Sequence, residues 1–195
     1  MRRPRRRLWS GSSPGRRSAF WTRTGRRRRG TSAIVTSDPA FSAGSAIVDP
    51  RVFVDTNVFL YARDDRFPEK QAEALRWLAA LAKRGSIVVG PQVLGEIHAV
   101  LLRGKLRIAP EEARRTMLAL EGWSSGATDL DLIADAWSLR ERTGFQWWDC
   151  VILGAAIRSG CRFLLSEDYQ HGREVEGTTI INPFRVSPET ILMDS

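Results

Sequence analysis

The stretch RVFVDTNVFL, residues 51–60, decides how the rest of the chain is read. Val52, Phe53 and Val54 form a short apolar run with no polar residue to turn toward water, which suits a strand buried on both faces. Asp55, Thr56 and Asn57 then fall at the carboxyl end of that strand, the edge at which open α/β sheets bind ligands. Two readings of Asp55 stand side by side. It caps the helix that follows, as Asp, Asn and Thr commonly do, or it is a functional carboxylate. The other acids of the chain choose between them.

Downstream, helices and short apolar strands alternate. Residues 58–63 continue as a helix, and residues 69–83 form a longer one with Ala72, Leu75, Leu78, Ala79 and Ala82 as its apolar stripe. Gly85 ends it. Residues 87–89 read as a second strand, Pro91 opens a helix over 92–103, and Pro110 opens another to about residue 120. Thr128 caps the next helix, whose apolar face is Leu130, Ile133, Ala134 and Trp137, and Gly144 breaks it. The helix Trp147–Arg158 is apolar almost throughout, as a packed central helix is. Residues 162–165 make a third strand and Thr178–Ile181 a fourth, ended by Pro183. This alternation predicts an α/β fold, with a mostly parallel sheet covered on both faces. No internal repeat is visible, and no apolar run reaches the roughly 20 residues a membrane helix needs.

Upstream, residues 1–48 differ in kind. They are rich in Arg, Ser, Gly, Thr and Pro and lack a sustained period of 2 or 3.6, so they are expected to be disordered. The charge is concentrated there: residues 1–50 carry 12 Arg and 2 Asp, net +10, whereas residues 51–195 carry 18 Lys and Arg against 20 Asp and Glu, net −2. The overall +8 therefore says nothing of the folded part, residues 49–195. A basic arm that grips phosphates, a transit peptide and a translation start placed too early all account for the segment. The third is favoured, because Arg outnumbers Lys 27 to 3 and the pattern becomes protein-like abruptly near Ile47. Cys150 and Cys161 are read as buried reduced thiols, not a disulfide or zinc site, which points to a cytoplasmic protein.

Three further acids matter. Glu96 lies at the edge of the stripe Val93, Leu94, Ile97, Val100 and Leu101, where a solvated glutamate is the plain alternative. Asp149 has the apolar or small helical neighbours Ile152, Leu153 and Ala156, and otherwise serves the helix dipole. Asp168 follows an apolar strand, where Ser166 or Glu167 instead caps a turn. Two acids thus follow strand ends and two lie on helices near the apolar side, so one sheet rim can collect all four. Carboxylates crowded there raise each other's pKa unless a cation neutralises them. Hard divalent ions such as Mg²⁺ or Mn²⁺ suit such oxygen ligands, and no Cys/His cluster argues for zinc. Phosphate-ester hydrolysis is the natural chemistry of that arrangement.

With these residues in view, the chain resembles the PIN-domain ribonucleases, and most closely the VapC toxins of bacterial VapBC toxin–antitoxin modules. The matching pieces are VFVDTNVFLYA, the helix carrying Glu96, WWDCVILGAAIRSGC, and FLLSEDYQHG followed by INPF. The likeness spans about residues 51–184 and leaves the Arg-rich head without a counterpart. It implies a compact three-layer α/β/α sandwich and a Mg²⁺- or Mn²⁺-dependent endoribonuclease, usually a homodimer, restrained by a cognate VapB-like antitoxin. It assigns catalytic and metal-binding roles to Asp55, Glu96, Asp149 and Asp168, with Asn57 and Ser166 as accessory polar positions. Asp55, Asp149 and Asp168 are expected to ligate the main ion, with Glu96 on a second ion or on the attacking water. Glu167 competes with Asp168 for the fourth acidic position.

For RNA, Arg63, Arg66, Lys105 and Arg107 are candidate contacts, with solvated surface cations the plain alternative. His171 reads first as a loop residue and second as a phosphate contact. Trp147 and Trp148 read first as core or dimer packing and second as base-stacking groups. A haloacid-dehalogenase-like phosphatase also begins with an Asp at a strand end, but needs a second Asp where this chain has Asn57. A catalytically silent PIN-like binding module is the other alternative, and four filled acidic positions argue against it.

Overall fold

The computed structural model describes residues 49–103 and 106–192. The readings made of residues 1–48 and of Lys105 lie outside the described residues. Five strands form one sheet in the order β2-β1-β3-β5-β4, with β1 at Val52–Val54, β2 at Ile87–Val88, β3 at Phe163–Leu165, β4 at Glu174–Val175 and β5 at Thr178–Ile181. β1 runs parallel to β2 and β3, β3 runs parallel to β5, and β4 alone is antiparallel. Side chains alternate between the faces of a strand, yet Val52, Phe53 and Val54 are all fully buried. Both faces of the sheet are therefore covered, as the three-layer α/β/α arrangement requires.

The covering helices are α1 (Thr56–Tyr61), α2 (Pro68–Arg84), α3 (Pro91–Arg103), α4 (Pro110–Glu121), α5 (Leu130–Thr143), α6 (Trp147–Arg158) and the short α7 (Glu189–Leu192). α6 packs on β3 and α5 on α6, while α2 packs on β2 and α1 joins α2 to α3. Proline occupies the first turn of α2 and α4, where its missing N–H leaves no intrahelical bond unmade. β4 and β5 are joined by Glu176 and Gly177, both at positive φ, the two-residue turn whose twist matches a hairpin.

Several expectations are corrected. The buried face of α5 is Leu132, Ala136 and Leu139, whereas Leu130 and Trp137 are 85% and 61% exposed. Asp129, not Thr128, caps it, accepting from Leu132 N at 2.8 Å. The reason lies in α6: a Cβ on Gly154 would meet Leu132 Cδ1 at 3.1 Å and Leu139 Cδ1 at 3.4 Å. The helices approach through this bare position, and the bulky apolar side chains take the outer face. In α2 the buried residues are Ala74, Trp77, Leu78 and Leu81, with Ala72 and Ala79 exposed. The indole of Trp77 sets that rotation by donating to Pro183 O at 3.0 Å and Val186 O at 3.2 Å. Val89 lies outside β2 and bridges Ser124, while β3 starts at Phe163, one residue later than expected, although Arg162 N–H already bonds Arg51 O. Cys150 and Cys161 are buried free thiols, as read from the sequence.

Candidate active site

Strand register brings the first two site residues together. Val54 pairs with Leu165, and Asp55 N–H donates to Leu165 O at 3.1 Å, so Asp55 and Ser166 emerge side by side at the carboxyl edge. Ser166 Oγ donates to Asp55 Oδ2 at 2.7 Å. Asp55 is also the N-cap of α1, its Oδ1 accepting from Thr56 N at 2.6 Å. The capping and functional readings of Asp55 are therefore compatible: one oxygen serves the helix and the other faces the site.

Asn57 ties this pair to a second acid. Its Nδ2 lies 3.0 Å from Asp55 Oδ2, 3.0 Å from Ser166 Oγ and 3.1 Å from Asp168 Oδ2. Ser166 Oγ in turn accepts the Asp168 N–H at 3.2 Å, fixing the turn that presents this acid. Glu96 enters from α3, where its Oε2 accepts from Thr56 Oγ1 at 2.8 Å. Asp149 stands on the first turn of α6. Its carbonyl accepts the Tyr169 hydroxyl at 2.9 Å, which ties that turn to the residue after Asp168.

Electrostatics join the same four acids. Burial pushes the Asp55 carboxyl from 3.8 up to about 7, opposed by the Ser166 and Thr56 hydrogen bonds and reinforced by the charges of Asp168 and Glu96. The Tyr169 phenol is held well above its ordinary value by burial, then by the charges of Asp55, Asp149 and Asp168. Its ring thus lies within electrostatic reach of three of the four acids.

Glu167, the neighbouring acid, turns elsewhere and forms an ion pair with Lys70. His171 is a loop residue, its Nδ1 accepting the Asn182 N–H at 3.2 Å. Arg63 reaches Glu112 at 3.5 Å, and Arg66 grips the fully buried Asp64 with two bonds of 2.7 Å. Arg107 is exposed. Trp148 is 52% exposed and is not core, while Trp147 stacks at a tilt on Trp137, centroids 5.9 Å apart. Sequence reasoning missed Thr56, Tyr169 and Lys70 as partners of the acids. The hydroxyls beside Asp55 and Asp168 were the available signal for the first two; nothing local marked Lys70.

Among the described residues, no three His, Cys, Asp or Glu side chains are gathered closely enough to hold an ion as they stand. The chemistry of the donors nevertheless fits a hard divalent cation. Asp55 and Asp168 share the Asn57 amide as their common neutral donor, and Asn57 Oδ1 is buried without a hydrogen-bond partner. A buried, unpaired carbonyl oxygen beside two carboxylates is an oxygen set of the Mg²⁺ or Mn²⁺ type.

A parallel sheet that delivers an acidic rim from β1, β3, α3 and α6 defines a class, and comparison gives it a family. The PIN-domain model matches residues 52–174, and the chain belongs to that family. Among solved structures, a toxin–antitoxin complex from Klebsiella pneumoniae is 18% identical with a TM-score of 0.51, covering 69% of this chain and 99% of that one. VapBC2 from Rickettsia felis, bound to a DNA fragment from its promoter, is 18% identical with a TM-score of 0.48 over 66% and 96%. Mycobacterium tuberculosis VapC20, a toxin that cleaves the sarcin–ricin loop, is 19% identical with a TM-score of 0.44 over 58% and 86%. No curated protein matches the chain.

Proposed function

We propose that this PIN domain is a Mg²⁺- or Mn²⁺-dependent endoribonuclease that acts as the toxin of a toxin–antitoxin pair. The observation that carries the reading is the Asp55–Ser166–Asn57–Asp168 network at the carboxyl edge of β1 and β3, with Glu96 joined to it through Thr56. Asp55, Asp149 and Asp168 are the residues that would hold the ion. When bound, it supplies a polarised water and stabilises charge on the leaving oxygen. Asn57 and Ser166 keep Asp55 and Asp168 aimed at a common point. Glu96, fixed by Thr56, takes the proton from the water that attacks phosphorus. Burial of Asp55 and Ser166 keeps water from screening the charge of Asp55, so the Ser166 bond that orients it counts for more than it would at the surface.

The partners in this reading are RNA, a VapB-like antitoxin and a second copy of the chain. Leu130, Trp137 and Trp148 leave an exposed apolar face on α5 and α6 that suits the second copy. No helix among the described residues is long and apolar enough to cross a membrane.

The experiment is RNA cleavage by the purified full chain with Mn²⁺, with EDTA, and in Asp55→Asn and Asp149→Asn variants checked for folding. Loss of cleavage in EDTA and in both variants is expected. Metal-independent cleavage, undiminished cleavage by either variant, or turnover of small phosphomonoesters in place of RNA would overturn the reading. Light scattering of the full chain, compared with Trp137→Ser, tests the second copy.

A further inference from the structure

A polyanion must approach a rim of carboxylates on a segment of net charge −2 over residues 51–195, so the site needs a local cation. Arg63 and Arg66 are both committed to carboxylates, Glu112 on α4 and the buried Asp64. Lys70 is placed differently. It stands in the first turn of α2, and its ammonium is paired with Glu167, the residue immediately before Asp168. Tyr61 Oη lies 3.0 Å from Nζ, and the rings of Tyr61 and Phe184 lie 4.3 and 4.9 Å from it, so two aromatic faces hold the charge in place. Burial pulls its pKa down, but the Glu167 and Tyr61 hydrogen bonds more than offset that and leave it raised, so the group stays cationic. The side chain nevertheless remains 36% exposed, open to a ligand at the rim.

We infer that Lys70 is the phosphate contact for the RNA strand entering the site, with Glu167 as the anion it exchanges for a backbone phosphate. The inference rests on the ribonuclease reading and names the residue that grips that substrate. An ammonium is a compact point charge with three rotatable donors, suited to a phosphate whose orientation changes along a flexible strand. The aromatic pair restricts the lysine stem before RNA arrives, so less side-chain freedom is lost on binding.

An ion pair that only holds α2 to the turn after β3 behaves differently from one that yields to substrate. In the structural case, removing either partner lowers stability and leaves RNA affinity alone. In the exchange case, the two removals move affinity in opposite directions. The test is fluorescence anisotropy of the full chain with a mixed-sequence single-stranded RNA of about 20 nucleotides, in EDTA to prevent turnover, across a salt series. Residues 1–48 contribute equally to every protein compared, so differences isolate the pair.

Lys70→Met, which keeps the apolar stem on the two rings, is expected to weaken binding several-fold and to lower the log affinity against log salt slope by about 0.7, the value for one contact on a single strand. Glu167→Gln is expected to tighten binding. Calorimetric Mn²⁺ affinity of Lys70→Met is expected to match the parent, because Lys70 touches none of the four acids. An unchanged salt slope in Lys70→Met, or weaker RNA binding by Glu167→Gln, would overturn the inference while leaving the ribonuclease reading in place. Failure of the parent to bind RNA would overturn both.

Discussion

The carboxyl of Asp55 makes the ion-free protein a pH-dependent structure, and the sign and size of the effect follow from its surroundings. The group ionises near 3.8 in an unfolded chain and near 7 when buried in the rim. Between those values the native state holds a proton that the unfolded state has released. Stability from this group is therefore complete below 3.8 and is lost as the pH rises through about 7. At about 1.4 kcal/mol per unit, the whole interval is worth at most about 4 kcal/mol, and the part between about pH 5 and 8 roughly 3 kcal/mol. That is a large share of the roughly 5 to 15 kcal/mol by which a typical domain is stable. The assay is urea unfolding in EDTA, followed by tryptophan fluorescence at several pH values, on the parent and on Asp55→Asn. The parent is expected to weaken toward pH 8 and the variant to show a much flatter profile. Mn²⁺ is expected to restore the parent's stability most at the alkaline end, where the site holds the most negative charge. A parent profile that is flat or rising over that range, or an equal slope in the variant, would refute the reasoning.

Other variants separate the parts of the site. Ser166→Ala removes the shortest bond to Asp55 Oδ2, a bond that holds the carboxyl's pKa down, so the same pH series should show the loss of stability beginning at the same pH but continuing to higher pH than in the parent. Thr56→Val keeps the branched shape but frees Glu96; cleavage is expected to fall about tenfold, less than the roughly 10²- to 10⁴-fold a general base contributes because Glu96 is misaligned and not removed, with Mn²⁺ affinity by calorimetry near that of the parent. Tyr169→Phe deletes only the bond to the Asp149 carbonyl. It is expected to cost about 1 kcal/mol in urea and to weaken Mn²⁺ binding several-fold. Trp77→Phe leaves the Pro183 and Val186 carbonyls short of a donor and is expected to cost about 1 to 3 kcal/mol, with Mn²⁺ binding intact.

The sequence disclosed the fold where short-range patterns and the tertiary environment agree. The run Val52, Phe53, Val54 marks β1, and the near-continuous apolarity of Trp147–Arg158 matches α6, which is buried on nearly all sides. It misled where a helix turns its larger apolar side chains outward: Leu130, Ile133, Ala134 and Trp137 make a plausible stripe, but Gly154 on the partner helix draws Leu132, Ala136 and Leu139 inward. β4 is only two residues long, and α7 is a single turn, so neither leaves a period to detect. In the site, spacing from apolar runs locates Asp55, Glu96, Asp149 and Asp168. The contacts that orient them depend on sequence separations that local pattern does not encode, 40 residues from Thr56 to Glu96 and 97 from Lys70 to Glu167. Glu167 and Asp168 look interchangeable along the chain. The Asn57 amide and Ser166 hydroxyl on Asp168, and the lysine arriving from α2 on Glu167, tell them apart.

The strand order has a consequence for biosynthesis. β3 lies between β1, made early, and β5, made last of the parallel strands, and it carries Ser166 and Asp168 just beyond its end. A ribosome that has passed Glu96 but has not yet released β3 holds a chain with an incomplete acidic cluster. Polypeptides truncated before that point lack the hydroxyl and the carboxylate that complete the cluster. The Asp55–Ser166–Asn57–Asp168 network is thereby absent from incomplete translation products and forms only once the sheet can close.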